Sequence, residues 1–411
     1  MTPRTTRVWL WLHKWSSLIC TVFMLLLCLT GLPLIFHHEL GHWLGTEMQA
    51  PPLPAGVAAR AVTLDEAVAV AQRVHPDRVA QYASPEEDSD DLWRVTMAPT
   101  PAPTDDFRLV VVDARTGDYL GTPPLHSGFL WVMFKLHVDL FAGLAGKLFL
   151  GLMGVLLLVS LISGTVLYAP FMRKLAFGTV RRGSDRQASR QEDDRARKQR
   201  AAQRRLKWLD LHNLLGIVLL AWLFVVGGTG VINTWADLLV KYWQHDQLSA
   251  YLAPYKGQPT VPPGDRASIH QALQAAQEAV PDTRLYFMAF PGTAFASPHH
   301  YVFFMRGNTP LTAHLPRPVL VDARTAQVTA APRLPWYLTA LLMSRPLHFG
   351  DYGGWPMQIL WALLDVLSII VLGSGLYLWL KKGNKTAKAA QAAAKAPGQA
   401  GAQTRSKEMA A

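Results

Sequence analysis

Four stretches of the chain, 15–36, 148–170, 214–235 and 357–380, are apolar for about 20 residues or more, enough to cross a bilayer core of roughly 30 Å. No soluble fold exposes four such runs, so the pattern predicts a polytopic α-helical membrane protein. The sequences between the runs are polar enough to meet water and form two sizeable extramembrane domains. Composition agrees. Only 17% of residues are charged and 50% are hydrophobic, whereas a soluble domain carries about a quarter charged residues. The two cysteines, Cys20 and Cys28, both lie in the first apolar run, and no CxxC or CxxCH occurs. That spacing excludes covalent c-type haem attachment, a cysteine-ligated zinc and an iron–sulfur cluster.

Charge sets the expected topology. Residues 1–14 carry Arg4, Arg7 and Lys14 and no acid; residues 171–207 carry 13 Lys or Arg against 4 acids; residues 381–411 carry 7 against 1. The stretch 37–146 reverses the balance, with 15 acids against 7 bases. Lys and Arg accumulate on the cytoplasmic side. Both termini and the 171–207 loop are therefore expected inside, and the segments 37–146 and 236–356 outside. A bacterial inner membrane with a periplasmic outer face is the natural setting. The basic clusters need only anionic lipid as a partner and give no reason to invoke nucleic acid. The tail beyond 381, rich in Ala, Lys and Gln, is expected to be disordered or loosely helical.

The two halves of the chain match in order and spacing. LHKW at 12–15 recurs as LHNL at 211–214, and Thr30-Gly31 recurs as Thr229-Gly230, both at an offset of 199. Each outer segment then has an amphipathic stretch, 64–74 and 268–280, followed by Pro-Asp. VVVDARTGDYLG (110–121) answers VLVDARTAQV (319–328). Leu136-His137 and Ser163-Gly164 recur at an offset of 211 as Leu347-His348 and Ser374-Gly375, and a Leu-Tyr follows each Ser-Gly. The unit of this internal two-fold repeat is helix, outer α+β domain, helix. Residues 92–97, 107–112, 285–290 and 301–305 are rich in β-branched and aromatic side chains and read as strands, with Asp-Ala-Arg-Thr as the turn. Each outer domain is expected to be one helix on a small antiparallel sheet.

The VDARTG hairpin after a short helix resembles a PepSY domain. LHVDLFAGLAGKLFLGLMGVLLLVSLISG (136–164) and RPLHFGDYGGWPMQILWALLDVLSIIVLGSGLYLW (345–379) resemble the PepSY-associated transmembrane helix family, and TGLPLIFHHELGHWL (30–44) resembles its iron-regulated members. The resemblance runs to about residue 382. It implies four transmembrane helices, 1–36, 136–170, 208–235 and 345–380, with PepSY-like periplasmic domains at 37–135 and 236–344, a basic cytoplasmic loop at 171–207 and a tail at 381–411. It also implies a role in iron acquisition, since some members act as inner-membrane ferric-siderophore reductases with haem.

The 14 histidines carry the chemistry. Ionisable residues at or inside a membrane are costly, so their presence points to function. His13 and His212 hold equivalent positions at the starts of the first and third apolar runs, and His137 and His348 hold equivalent positions before the second and fourth. Haem b needs two axial imidazoles, which facing helices supply. The expectation is therefore two haem b groups, with iron held by His13 and His212 at one face and by His137 and His348 at the other. His37, His38 and His126 are further candidates on the outer side. Lys14, Lys135, Lys207 and Arg345 lie close in sequence to the four and could neutralise propionates. His75, His245, His270, His299, His300 and His314 are expected at the surface of the outer domains.

One rival motif is present. HELGH at 38–42 matches HExxH, which would place His38 and His42 on zinc with Glu39 as general base. The third ligand of such a protease would have to be Asp365 in LLDVL, which lacks the usual glycine. The function expected is electron transfer from the cytoplasmic side to a ferric siderophore in the periplasm. The alternatives are an HExxH membrane protease and a non-enzymatic PepSY binding or assembly protein. No GxxxxGK[ST] or strand-linked GxGxxG occurs. The electron donor is therefore expected to be external, a quinol or a cytoplasmic flavoprotein. Phe129, Trp131, Trp336, Tyr337 and Tyr352 are candidates to line the approach of the substrate.

Overall fold

The structure is a computed structural model that describes residues 1–53, 55–56, 58–86, 90–172, 176–181, 194–310, 312–350 and 352–395. The chain begins with α1 (Pro3–Ile35), a short α2 (His37–Trp43) and α3 (Leu64–Val74). Strands β1 (Val79–Pro85), β2 (Leu92–Ala98), β3 (Arg108–Asp113) and β4 (Tyr119–Gly121) follow. Next come α4 (Gly128–Val138), α5 (Gly143–Met172), α6 (Asp194–Val218), α7 (Leu220–Thr234) and α8 (Ala236–Trp243). A π-helical turn, Gln244–Leu248, leads to α9 (Ser249–Leu252) and α10 (Ile269–Ala279). Strands β5 (Thr283–Ala289), β6 (His300–Gly307), β7 (Arg317–Asp322) and β8 (Val328–Ala330) precede α11 (Trp336–Phe349) and α12 (Gly354–Lys395).

Among the described residues, three helical segments are long and apolar enough to cross a membrane: Pro3–Ile35, Gly143–Tyr168 and Gly354–Lys381. The third apolar run of the sequence is broken instead of straight. Gln199–Val218 and Leu220–Thr234 meet at 66° and would make a fourth span only if taken together. One other expectation changes. The basic loop is helical from Asp194, with 182–193 outside the described residues. Of the two states expected for the tail, the described part is helical, because α12 continues to Lys395, as its Ala, Lys and Gln content favours.

Packing divides the chain into two compact units. One holds Met1–Cys28, Leu156–Phe224 and Leu364–Ala411; the other holds Leu29–Val155 and Val225–Leu363. In the first, Asp210 is buried and takes both the backbone N–H and the guanidinium of Arg181, at 2.6–3.0 Å.

The second unit contains the strands. The two small sheets expected from the sequence form one antiparallel sheet of eight strands, ordered β4-β3-β2-β1-β5-β6-β7-β8. The seam is β1 against β5, with Tyr82 opposite Ala289 and Ala83 opposite Met288. Pairing these strands removes two edges that would otherwise expose unpaired backbone groups. Strand β1, which had no clear sequence signal, is thus the centre of the sheet. Helix α3 starts at a capping box, Thr63 with Glu66, and buries Leu64, Ala67, Val70 and Ala71 on one face. Helix α10 is capped by Ser268 and buries Ile269, Ala272 and Ala276. Asp65 of α3 accepts from the Ser268 hydroxyl and from the Ile269 and His270 amides, at 2.7–2.8 Å, so the first helix caps the second. The two helices share a core with inward residues of the sheet, among them Val95, Met97, Met288, Phe303 and Met305. Each such side chain contributes about 1.5–3 kcal/mol relative to exposure. On the opposite sheet face, Ala289, Val302, Phe304 and Leu320 pack with Trp243 of α8 and Leu338 and Leu341 of α11.

Candidate haem-ligating histidines

His137 sits in the last turn of α4 and His348 in the last turn of α11. Neither lies on a spanning helix; each belongs to a short helix that precedes one. Their rings approach to 6.2 Å between centroids, with planes 62° apart. Two imidazoles bound through Nε2 to one iron at roughly 2 Å per bond have centroids about 6.3 Å apart. The observed separation matches that distance.

The two rings are held in the same way. The Cε1 atom of His137 packs 3.0 Å from where a Cβ on Gly31 would stand, and that of His348 stands 3.0 Å from the same point on Gly230. The His348 Nδ1–H donates to the Val226 carbonyl at 2.9 Å, with Thr229 Oγ1 at 3.4 Å. His137 Nδ1 lies 3.1 Å from Thr30 Oγ1.

The other unit repeats this arrangement. The His13 Nδ1–H donates to the Ser160 carbonyl at 3.0 Å, with Ser163 Oγ at 3.2 Å, and Cε1 lies 3.1 Å from a Cβ position on Gly164. The His212 Nδ1–H donates to the Val371 carbonyl at 3.1 Å, with Ser374 Oγ at 2.9 Å, and Cε1 lies 3.3 Å from a Cβ position on Gly375. A carbonyl can only accept, so Nδ1 carries the proton and Nε2 keeps the lone pair that binds a metal. Rings seated with Cε1 against a glycine, with Nδ1 beside the Ser or Thr one residue earlier and, for His13, His212 and His348, on the carbonyl four residues earlier, are well suited to bis-imidazole haem.

The glycines were legible in the sequence as Thr-Gly and Ser-Gly pairs. The hydroxyls of Thr30, Ser163, Thr229 and Ser374 were not recognised as partners of the histidines, although they stand beside each glycine in every copy.

The other candidates are placed elsewhere. His38 Nδ1 pairs with Glu47 at 2.9 Å, and His37 Nδ1 meets the Leu34 carbonyl at 3.0 Å. His126 is exposed and packs edge-on to Phe107. Asp365 is buried, with no hydrogen-bond partner on its Oδ2 among the described residues. Lys135, proposed as a propionate partner, is tied by an ion pair to Asp139, and Lys14 lies over the Trp15 ring at 4.7 Å. His300, expected at the surface, is 1% exposed, bonded to Ser297 Oγ at 2.6 Å and packed on Tyr255. Burial holds its imidazole below the usual range. Close helix packing completes the surroundings. A Cβ on Gly151 would stand 2.4 Å from Thr234 Oγ1 and one on Gly154 2.7 Å from Val231, so α5 and α7 touch through glycine.

Membrane-spanning helices joined to an eight-stranded sheet with helices on both faces define a membrane protein with a folded extramembrane domain. The chain belongs to the family described as the PepSY-associated TM region, which matches residues 10–382. It is 24% identical over 268 residues to a protein of Pseudomonas aeruginosa named "Uncharacterized protein PA4219". That match covers 61% of this chain and 63% of the relative.

Proposed function

We propose that the protein is a haem b protein of a bacterial inner membrane, acting as a ferric siderophore reductase that passes electrons from the cytoplasmic side to periplasmic ferric iron. In this reading the bent helix pair counts as one span, which makes four, and an internal two-fold repeat relates the halves. Both termini are cytoplasmic and the sheet domain is periplasmic. The basic 1–14 and 171–207 segments and the acidic 37–146 stretch support that orientation. One haem is held by His137 and His348 and a second by His13 and His212. The carrying observation is the 6.2 Å separation of His137 and His348.

When bound, haem supplies a one-electron iron couple whose potential follows its axial ligands and burial. The polypeptide does the rest. The carbonyls of Val226, Ser160 and Val371 keep a proton on Nδ1, which orients each ring and raises the basicity of Nε2. Gly31, Gly164, Gly230 and Gly375 let the Cε1 edge of each ring approach a helix where any larger residue would displace it. The substrate is a ferric siderophore that meets the protein on the periplasmic side, where reduction weakens the hold of hard oxygen ligands on iron. The donor is a quinol or a cytoplasmic flavoprotein, the latter docking on the basic 171–207 segment.

The test is a visible spectrum of the purified protein. A Soret band and an α-band that sharpen on adding dithionite are expected. In sealed vesicles of known orientation, an impermeant ferric siderophore should be reduced only from the periplasmic face. A colourless protein would return the family role to partner binding, and reduction confined to the cytoplasmic face would reverse the proposed electron flow.

A further inference from the structure

A cleft of about 360 Å³ opens between the sheet and helices α8 and α11, on the sheet face opposite α3 and α10. Its apolar walls include Trp243, Phe287, Phe295 and Phe304, and the Phe287 and Phe304 rings stack at 4.2 Å with planes 10° apart. Arg94, Arg306 and Arg345 also line it, and among the described residues no acidic one does. Glu86 matches the first of these charges from just outside the lining, 2.5 Å from Arg94. Arg306 is 5% exposed, with its guanidinium 5.3 Å from the Tyr286 ring. Arg345 is exposed on α11, and among the described residues no hydrogen bond or ion pair engages it. The Arg345 cation beside aromatic walls, in a partly dry cleft, selects an anion that carries a flat ring.

The cleft also has a defined position. Arg345 and His348 are three residues apart on α11, so their side chains are neighbours on the helix surface. A ligand seated against Arg345 lies within one helical turn of an imidazole assigned above to haem. The volume is at the lower end of the range for small-molecule sites, about 300–1,000 Å³. It has room for one or two aryl rings and not for a complete ferric chelate.

We infer that this cleft binds an aryl arm of an anionic, catecholate-type ferric chelate, leaving the iron at the mouth beside α11. The assignment of iron rests on the reductase reading; the preference for an aromatic anion rests on the cleft alone. A ferric tris-catecholate is an anion because three doubly ionised catecholates outweigh the trivalent metal. A ferric tris-hydroxamate is neutral and has no aryl group for the phenylalanine walls.

The test uses redox-inert gallium(III) in place of iron, with calorimetric titration of the purified full-length protein. A gallium tris-catecholate built from 2,3-dihydroxybenzoyl groups should bind saturably, at least about tenfold tighter than a gallium tris-hydroxamate, and more weakly as salt is raised. Arg345→Gln should weaken the catecholate complex about tenfold, Arg345→Lys should weaken it less, and Phe295→Ala should weaken it without changing its salt dependence. Equal binding of the two chelates, no saturable binding of the catecholate, or catecholate binding unchanged in both Arg345→Gln and Phe295→Ala would overturn the assignment. The haem spectrum of each sample separates the two readings. Catecholate binding by a colourless protein would sink the reductase and leave the cleft, whereas a haem-containing protein that ignores the chelate would do the reverse.

Discussion

The two halves of the sheet-bearing unit hold their histidines alike and differ in the packing of the helices that carry them. His137 and His348 each rest 3.0 Å from a Cβ position on a glycine, beside a threonine hydroxyl. Yet α4 buries no residue, whereas α11 buries Leu338, Leu341, Ser344 and Pro346. Helix α4 exposes Phe129, Val132 and Phe134, while α11 covers the second half of the sheet with α8. The turns differ too. Gly117 takes φ +86° in the first hairpin, and Ala326 takes φ +57° at the matching place in the second. The seats of the two rings agree between the halves, whereas the helices that carry them are packed differently. The uneven cover is what leaves an arginine-lined cleft at one place on the sheet.

The strongest test of the shared part is removal of the ligands. His137→Ala and His348→Ala should each abolish the same haem and reduce ferric reduction at least about tenfold, because one imidazole cannot complete a bis-histidine site. Haem quantified by pyridine haemochrome, with reduction rates, checks this. Full haem content in both variants would break the equivalence of the halves and move attention to His37, His38 and His126.

The unequal cover predicts unequal stability. Leu341→Ala should cost about 2–5 kcal/mol, as a buried leucine does, and the matching change in α4, Leu130→Ala, less than about 1 kcal/mol. Thermal unfolding in detergent compares them, and equal losses would mean α4 is covered in the membrane. A smaller effect lies in the turns. Ala326→Gly should stabilise by about 0.5–1 kcal/mol, since a left-handed alanine is strained. Gly117→Ala should destabilise by about 1 kcal/mol or more, with its new Cβ also 3.1 Å from the Arg60 guanidinium.

The least change at neutral pH is expected from His300, which only the second half possesses. Its pKa is lowered mainly by burial, with Asp322 opposing and His299 adding to the shift. The unfolded chain therefore binds the proton more readily. The stabilisation is complete above the ordinary histidine value of about 6.5 and is lost as pH falls below it towards the lowered folded value. Unfolding midpoints measured from pH 7.5 to 5 should fall in the native protein and fall less in His300→Asn. An identical slope in both would remove His300 from the account.

Much of this architecture can be read from local pattern. The apolar runs marked the spanning helices, and helical spacing placed α3 at Leu64–Val74 and α10 at Ile269–Ala279, because burying one face of a helix imposes a period on its own residues. The Asp-Ala-Arg-Thr turns fell between β3 and β4 and between β7 and β8 for the same local reason. The Thr-Gly and Ser-Gly pairs pointed to close approach without saying what approaches. Long-range pairing was not legible. Nothing local to β1 indicates that it would join β5 at the middle of one sheet, since a strand's partner depends on edges brought together from some 200 residues away. His300 gave no sign of burial, because its surroundings come from Ser297 and from the distant Tyr255. The 6.2 Å meeting of His137 and His348, and the gathering of Arg94, Arg306 and Arg345 around one cleft, likewise arise only when separate strands and helices pack. Periodicity is a property of neighbours along the chain, and a binding site is a property of neighbours in space.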